Sequence, residues 1–525
     1  MLFFFTLLLS SLYGAAALNV VDISKTTAGV RLRKASWRAA AVDASVPQGG
    51  IRMGDVQDSV YVADLTVGTQ VLQVVLDTGS SGAWLGAIEP GARASFILPF
   101  SDLWIDPAQG IEALGGAILG NGDQLRLGYA SGGVVGKAAV APVSLGSYTV
   151  PQQLLLSANW TYELDALSSH NIRGIMGLSF DSAATLPRLL DAPDRRPTFL
   201  ANVFAQHPAA GNFTTFYMCR GDVEGFMTIN EIPEQFSEGM KSVPPINAWR
   251  NPDTKALQRW TVAVANLEVG GQTVGLTSQV TGAPANTALA VLDTGSTLTY
   301  LPNDTITAMY SGIPGATYAA KANVWLMPCE AEVSVAFHIG GLRYVMNPLD
   351  LIVPYSVPID GSEAIVCAGA FRATTPDLRK LLAADMWLGD SFLRNVFQVL
   401  HYGDSTTDKQ RPLVQLLGIT DEQEAAAQYT VERANLRKYY PREANLTDPI
   451  VLAAVIHSFP TPAESESGTN LTSSDATSTS ASSTLSPSPH SFPSQRPSDT
   501  SGTLPRQTLA CGLALATLFV TLFSL

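Results

Sequence analysis

The chain has 525 residues, a formal net charge of −13, 43 glycines and 32 prolines. That length leaves room for two lobes with appendages and a sizeable buried core. The acidic balance argues against nucleic acid as a partner, and no His/Cys cluster has metal-ligand spacing, so neither a metal nor another cofactor is expected.

In chain order, residues 2–12 are apolar and lead to Ala15-Ala16-Ala17. This is the pattern of a signal peptide over residues 1–17. Residues 18–50 read as a basic prosegment, with Lys25, Arg31, Arg33, Lys34 and Arg38 against Asp22 and Asp43 up to residue 43. The rest of the chain then carries about −16. Such a segment is expected to cover an acidic cleft by charge pairing at neutral pH and to loosen as carboxylates protonate.

Residues 51–240 form the expected first lobe. Val74, Val75 and Leu76 run into Asp77-Thr78-Gly79-Ser80, a buried strand entering a tight turn. Further on, LRLGYASGGVVG over residues 125–136 alternates apolar and polar residues and breaks at Ser131-Gly132-Gly133, which predicts a hairpin. The expected second lobe, residues 241–420, repeats the pattern: Ala290, Val291 and Leu292 enter Asp293-Thr294-Gly295-Ser296. Each turn is followed by an apolar-apolar-Gly element, Ile175-Met176-Gly177 and Trp387-Leu388-Gly389, at 100 and 96 positions from its Asp. Near-equal spacing argues for internal duplication.

Two carboxylates brought together cannot both ionise cheaply, so they share a proton and titrate as a pair. The ionised member can take a proton from water; the protonated member can polarise a carbonyl and later protonate a leaving amine. The neighbours fit that chemistry. Gly79 and Gly295 permit close approach, Thr78 and Thr294 can cross-link the loops, and Ser80 and Ser296 can reach the outer carboxylate oxygens.

With VVLDTGSSGAWLG (74–86), AVLDTGSTLTYLP (290–302) and WLGDSFLRNVFQVLHY (387–402), the chain resembles the pepsin-like aspartic peptidases over roughly residues 55–420. Together with its C-terminal pattern, it resembles the family's fungal secreted, surface-anchored enzymes. The shared-proton dyad is the established behaviour of that class. The resemblance implies a mostly β, bilobal pepsin-like fold, with two duplicated β lobes and the active-site cleft between them. It implies an aspartic endopeptidase with Asp77 and Asp293 catalytic and with protein or peptide substrates. It further implies that Tyr129 closes a flap whose tip is Gly132 and Gly133, that Trp84 holds the position of a family tryptophan, and that Cys329 pairs with Cys367. Cys219 is then left unpaired. Ala130, where the family more often has Gly, and His401, near the usual site of an acidic residue, are departures. A second reading keeps the cleft only to bind peptides, without turnover.

Residues 421–459 form an extension in which EQEAAAQYTVERANLRKYY reads as helical. Ser, Thr and Pro dominate residues 460–500, an expected stalk. Residues 501–525 end in an apolar tail after small residues and a spacer, the order of a glycosylphosphatidylinositol attachment signal. Asn159, Asn212, Asn303, Asn445 and Asn470 begin N-glycosylation sequons. The expected molecule is therefore a monomeric zymogen, inhibited by its own prosegment and held at the outer cell surface by a lipid.

Overall fold

The computed structural model describes residues 46–458, apart from internal stretches of which 80–101 is the longest. The expected signal peptide, most of the prosegment, the stalk and the anchor signal lie outside the described residues. So do Ser80, Trp84, Ala130, Ser131 and Asn470.

Strands dominate, as the short apolar runs bounded by turn residues predict. Among the described residues they form sheets of 14, 8 and 4 strands. In the first lobe, Val60–Val67, Gln70–Asp77, Ile172–Gly177, Leu103–Ile105, Tyr148–Tyr162 and Gly133–Leu145 are neighbours in that order. Val60–Val67 also pairs with Gly133–Leu145, which closes the path into a barrel and removes its free edges. In the second lobe, Thr261–Val269, Ala288–Leu292, Met386–Leu388, Thr299–Leu301 and Phe371–Ala373 follow one another.

The duplication is visible in the registers. Leu76 lies beside Met176 and Asp77 beside Gly177 in a parallel pair. Leu292 lies beside Leu388 in the equivalent pair, and the Asp293 amide donates to the Leu388 carbonyl, 3.0 Å. A third strand then crosses antiparallel in each lobe, with Trp104 opposite Ile175 and Tyr300 opposite Trp387. Trp104 is thus the structural mate of Tyr300. Trp104 stands 27 positions after Asp77 and Tyr300 seven after Asp293, so about twenty additional residues separate the first turn from this strand.

The lobes share strands at their junction. Phe213–Tyr217 pairs with Val396–His401 from the end of the second lobe, and Ile51–Val56 pairs with both Gly225–Ile229 and Val60–Val67. Beneath this sheet, buried Arg394 donates to the Tyr61 hydroxyl, 2.7 Å, and Tyr61 donates to the Cys219 carbonyl.

The extension folds against the second lobe. Its helix, Glu422–Tyr439, begins where the Asp421 carboxylate accepts from the amides of Gln423 and Glu424 at 3.0 and 2.9 Å, an N-cap on the positive end of the helix. Tyr429 donates to the Ala331 carbonyl and Arg433 to the Ile352 carbonyl. Cys329 and Cys367 are joined by a disulfide, 38 positions apart, and the Cys329 amide donates to Glu443 at 2.7 Å. Cys219 is a buried free thiol, and burial pushes it up to about 12. No helix among the described residues is long and apolar enough to cross a membrane.

Candidate active site

Each strand that ends in an Asp is buried by its apolar run: Val74, Val75 and Leu76 in one lobe, Ala290, Val291 and Leu292 in the other. The strands therefore end inside the molecule, and both carboxylates are held there, Asp77 at 7% exposure and Asp293 at 2%. Each turn closes on its own Asp: the Gly79 amide donates to Asp77 Oδ1 at 2.9 Å, and the Gly295 amide to Asp293 Oδ1 at 2.8 Å.

Four further hydrogen bonds lock the turns together. The Thr78 amide donates to Thr294 Oγ1 at 3.1 Å, and the Thr294 amide to Thr78 Oγ1 at 3.0 Å. Each hydroxyl then donates across to the other lobe, Thr78 to the Leu292 carbonyl at 3.1 Å and Thr294 to the Leu76 carbonyl at 2.6 Å. Both threonines are buried, so every donor and acceptor in this lattice depends on its partner.

The glycines explain how near the carboxylates lie. A Cβ on Gly79 would overlap the carboxyl of Asp293, and one on Gly295 would crowd the carboxyl of Asp77. No other residue type fits either position without moving the opposite Asp. The Ser296 hydroxyl donates to the Leu298 carbonyl at 3.1 Å, so it stabilises its own turn where a bond to the carboxylate was expected.

Burial, and then the charge of Asp77, hold Asp293 well above the usual carboxylate range; the Gly295 amide and the Trp387 indole pull it back. This is the electrostatic pattern of two acids competing for one negative charge.

The predicted hairpin is present. Gln124–Gly128 pairs with Gly133–Leu145, Gly128 lies opposite Gly133, and the Tyr129 amide donates to the Gly132 carbonyl at 2.9 Å. Gly132 has φ 81°, a conformation that favours glycine. Tyr129 is turned inward and buried. Its hydroxyl is raised well above its ordinary value by burial and then by Asp77 and Asp102, while Trp104 opposes the rise. The Trp104 indole lies near the hydroxyl but outside strict hydrogen-bond geometry. Sequence reasoning missed Trp104; its signal was the apolar triplet Leu103-Trp104-Ile105, a second strand-like run after the first turn.

Of the sequon asparagines, Asn159, Asn303 and Asn445 are exposed, whereas Asn212 is half-buried and donates to the Gly403 carbonyl at 3.0 Å. Asn445 Oδ1 accepts from the Thr447 amide and hydroxyl. No group of side chains among the described residues has the makings of a metal site.

A bilobal β protein with one strand-end carboxylate from each lobe, pressed against the other lobe's glycine, defines a class of acid–base catalyst. A family model described as eukaryotic aspartyl protease matches residues 60–408, and the chain belongs to that family. It is 24% identical to a probable aspartic-type endopeptidase of Aspergillus fumigatus, over 70% of this chain and 82% of the relative. It is also 24% identical to major aspartyl peptidase 1 of Cryptococcus neoformans, over 67% and 69% of the two chains. The identity to cathepsin D of Dictyostelium discoideum is again 24%, over 76% and 96%.

Proposed function

We propose that this protein is an aspartic endopeptidase in which Asp77 and Asp293 share one proton and activate a water molecule. The ionised carboxylate removes a proton from the water as it attacks the scissile carbonyl, while the other carboxyl donates a hydrogen bond to the carbonyl oxygen. Collapse of the resulting tetrahedral adduct breaks the C–N bond, and the amine leaves with a proton from the dyad. Thr78 and Thr294 brace the pair, and Tyr129 on its hairpin shields the bound substrate from water.

The observation that carries this reading is the reciprocal contact of each glycine with the opposite carboxyl, since it leaves the two acids no room for independent roles. The basic stretch of 18–43 supports synthesis as a zymogen whose prosegment pairs with an acidic cleft. The Ser/Thr/Pro-rich stretch and the apolar tail support an O-glycosylated stalk and a lipid tether.

A peptide mimic of the tetrahedral adduct, of the pepstatin type, tests the reading. It is expected to bind the protein at acid pH at least 100-fold more tightly than a substrate peptide, as transition-state mimics do. Asp77→Asn is expected to abolish turnover while the fold remains. Equal affinity for the mimic and for ordinary peptides, together with no cleavage, would replace the enzyme with a peptide-binding module.

A further inference from the structure

Strand pairing sets a different neighbour against each carboxylate. In the first lobe Val62 lies opposite Val75, and the same register carried two residues on puts Val60 opposite Asp77. In the second lobe Thr261 lies opposite Val291, and Arg259 stands two residues before it, next to Trp260, whose carbonyl meets the amide of the residue before Asp293. Val60 and Arg259 therefore stand at the same count from the pairing in their two halves.

Local hydrogen bonds hold that placement. The Leu292 amide donates to the Trp260 carbonyl at 2.9 Å, which keeps the pairing as far as the residue before Asp293. The Thr261 amide donates back to the Arg259 carbonyl at 2.9 Å, a three-residue turn that fixes the chain at this point. The Trp260 indole donates to the Leu178 carbonyl at 3.3 Å and its ring packs on Phe180, which anchors the residue next to Arg259. Arg259 is 3% exposed, and Asp293 is a charge that acts on it. Burial lowers its guanidinium to about 9 while Asp293 resists the change; the group stays cationic throughout the acid range.

We propose that Arg259 is a positioning residue for the dyad: its buried positive charge stabilises the ionised carboxylates and sets the pH–rate profile lower than two apolar neighbours would. The other titratable group facing Asp293 is Asp77, which raises it; Tyr129 and Asp102 act from the Asp77 side. Burial and Asp77 dominate Asp293, so Arg259 tunes the pair without overriding the shared proton. The sign follows from the charge. A nearby cation favours the ionised form of both acids, lowering the pH at which the pair takes up its single charge and the pH at which it loses its shared proton.

This inference rests on the endopeptidase reading, and the test separates the two. The dependence of kcat/KM on pH is measured for the protein and for Arg259→Lys, Arg259→Gln and Arg259→Met. Both limbs are expected to move to higher pH by about half to one unit in the Gln and Met variants, and to return most of the way in the Lys variant. Limbs that coincide in every variant, whatever happens to the maximal rate, overturn the proposal while leaving the peptidase intact. A Lys variant that moves as far as Gln overturns it too, because charge is then not the cause. If both uncharged variants fail to melt cooperatively while Lys folds with normal limbs, Arg259 supports the fold and the proposal falls. Absence of cleavage by the unaltered protein would instead remove the endopeptidase reading itself.

Discussion

At the scale of single residues, the two turns are joined by threonines that each donate and accept across the lobes. Thr294 both donates to Leu76 and accepts from Thr78. Replacing it with Val keeps the shape but leaves the Thr78 amide and the Leu76 carbonyl buried without that hydroxyl. Each orphaned group costs about 1–3 kcal/mol, so Thr294→Val is expected to lower unfolding stability by about 2–6 kcal/mol in urea titration, with turnover falling as well. A loss below about 0.5 kcal/mol would mean that the lattice is not what joins the turns. Asp77 and Asp293 were legible in the sequence because their signal is local: an apolar run, then Asp-Thr-Gly-Ser, twice. Arg259 was not legible, because its meaning comes from a register between segments more than thirty residues apart. Ser296 shows the limit of reading roles from residue type, since a hydroxyl beside a carboxylate had a nearer carbonyl to bond.

Among elements, the strand Leu103–Ile105 carries more of the site than its length suggests. It supplies Trp104 beneath Tyr129, and Asp102 immediately before it accepts from the Thr185 and Leu186 amides, both at 2.8 Å. Those amides open the short helix Leu186–Leu189, so Asp102 ties strand to helix across the first lobe. Burial raises its carboxyl from 3.8 to about 6, against the pull of the two amides. A carboxyl with a raised value in the fold binds its proton more tightly there than in the unfolded chain. Its contribution is complete below about pH 4 and is lost as pH rises toward about 6, a change of about 3 kcal/mol. Asp102→Asn removes the titration, so the part of the stability slope between pH 4 and 6 that this group supplies is expected to vanish in the variant. Identical slopes in the two proteins would exclude it as the source. Sequence reasoning lost this strand because additional residues in the first lobe displaced it from its Asp. The helix Glu422–Tyr439, by contrast, was readable from propensity alone, with Asp421 as an unnoticed cap.

For the whole molecule, the fold was legible as a duplication and the function as a consequence of it. Two copies of one lobe each offer half a site, and the strands shared at their junction fix one half against the other. The parallel pairs Asp77 with Gly177 and Leu292 with Leu388 are the structural content of the two near-equal spacings in the sequence. What spacing did not convey is asymmetry: the additional residues before Trp104, Arg259 in place of a valine, and an extension that packs on the second lobe. These features differ between the halves, so no internal repeat encodes them. The second lobe also carries the Cys329–Cys367 disulfide, with the Cys329 amide held by Glu443 and the nearby Ala331 carbonyl by Tyr429.

The measurement that bears most directly on the central claim is cleavage of a diverse peptide library between pH 3 and 7, with Asp293→Asn alongside. The account predicts acid-dependent cutting by the unaltered protein and a loss of at least about 100-fold in the variant, whose fold persists. Cutting by Asp293→Asn at the parent rate, or no cutting by either once the basic N-terminal segment has been removed, would contradict it.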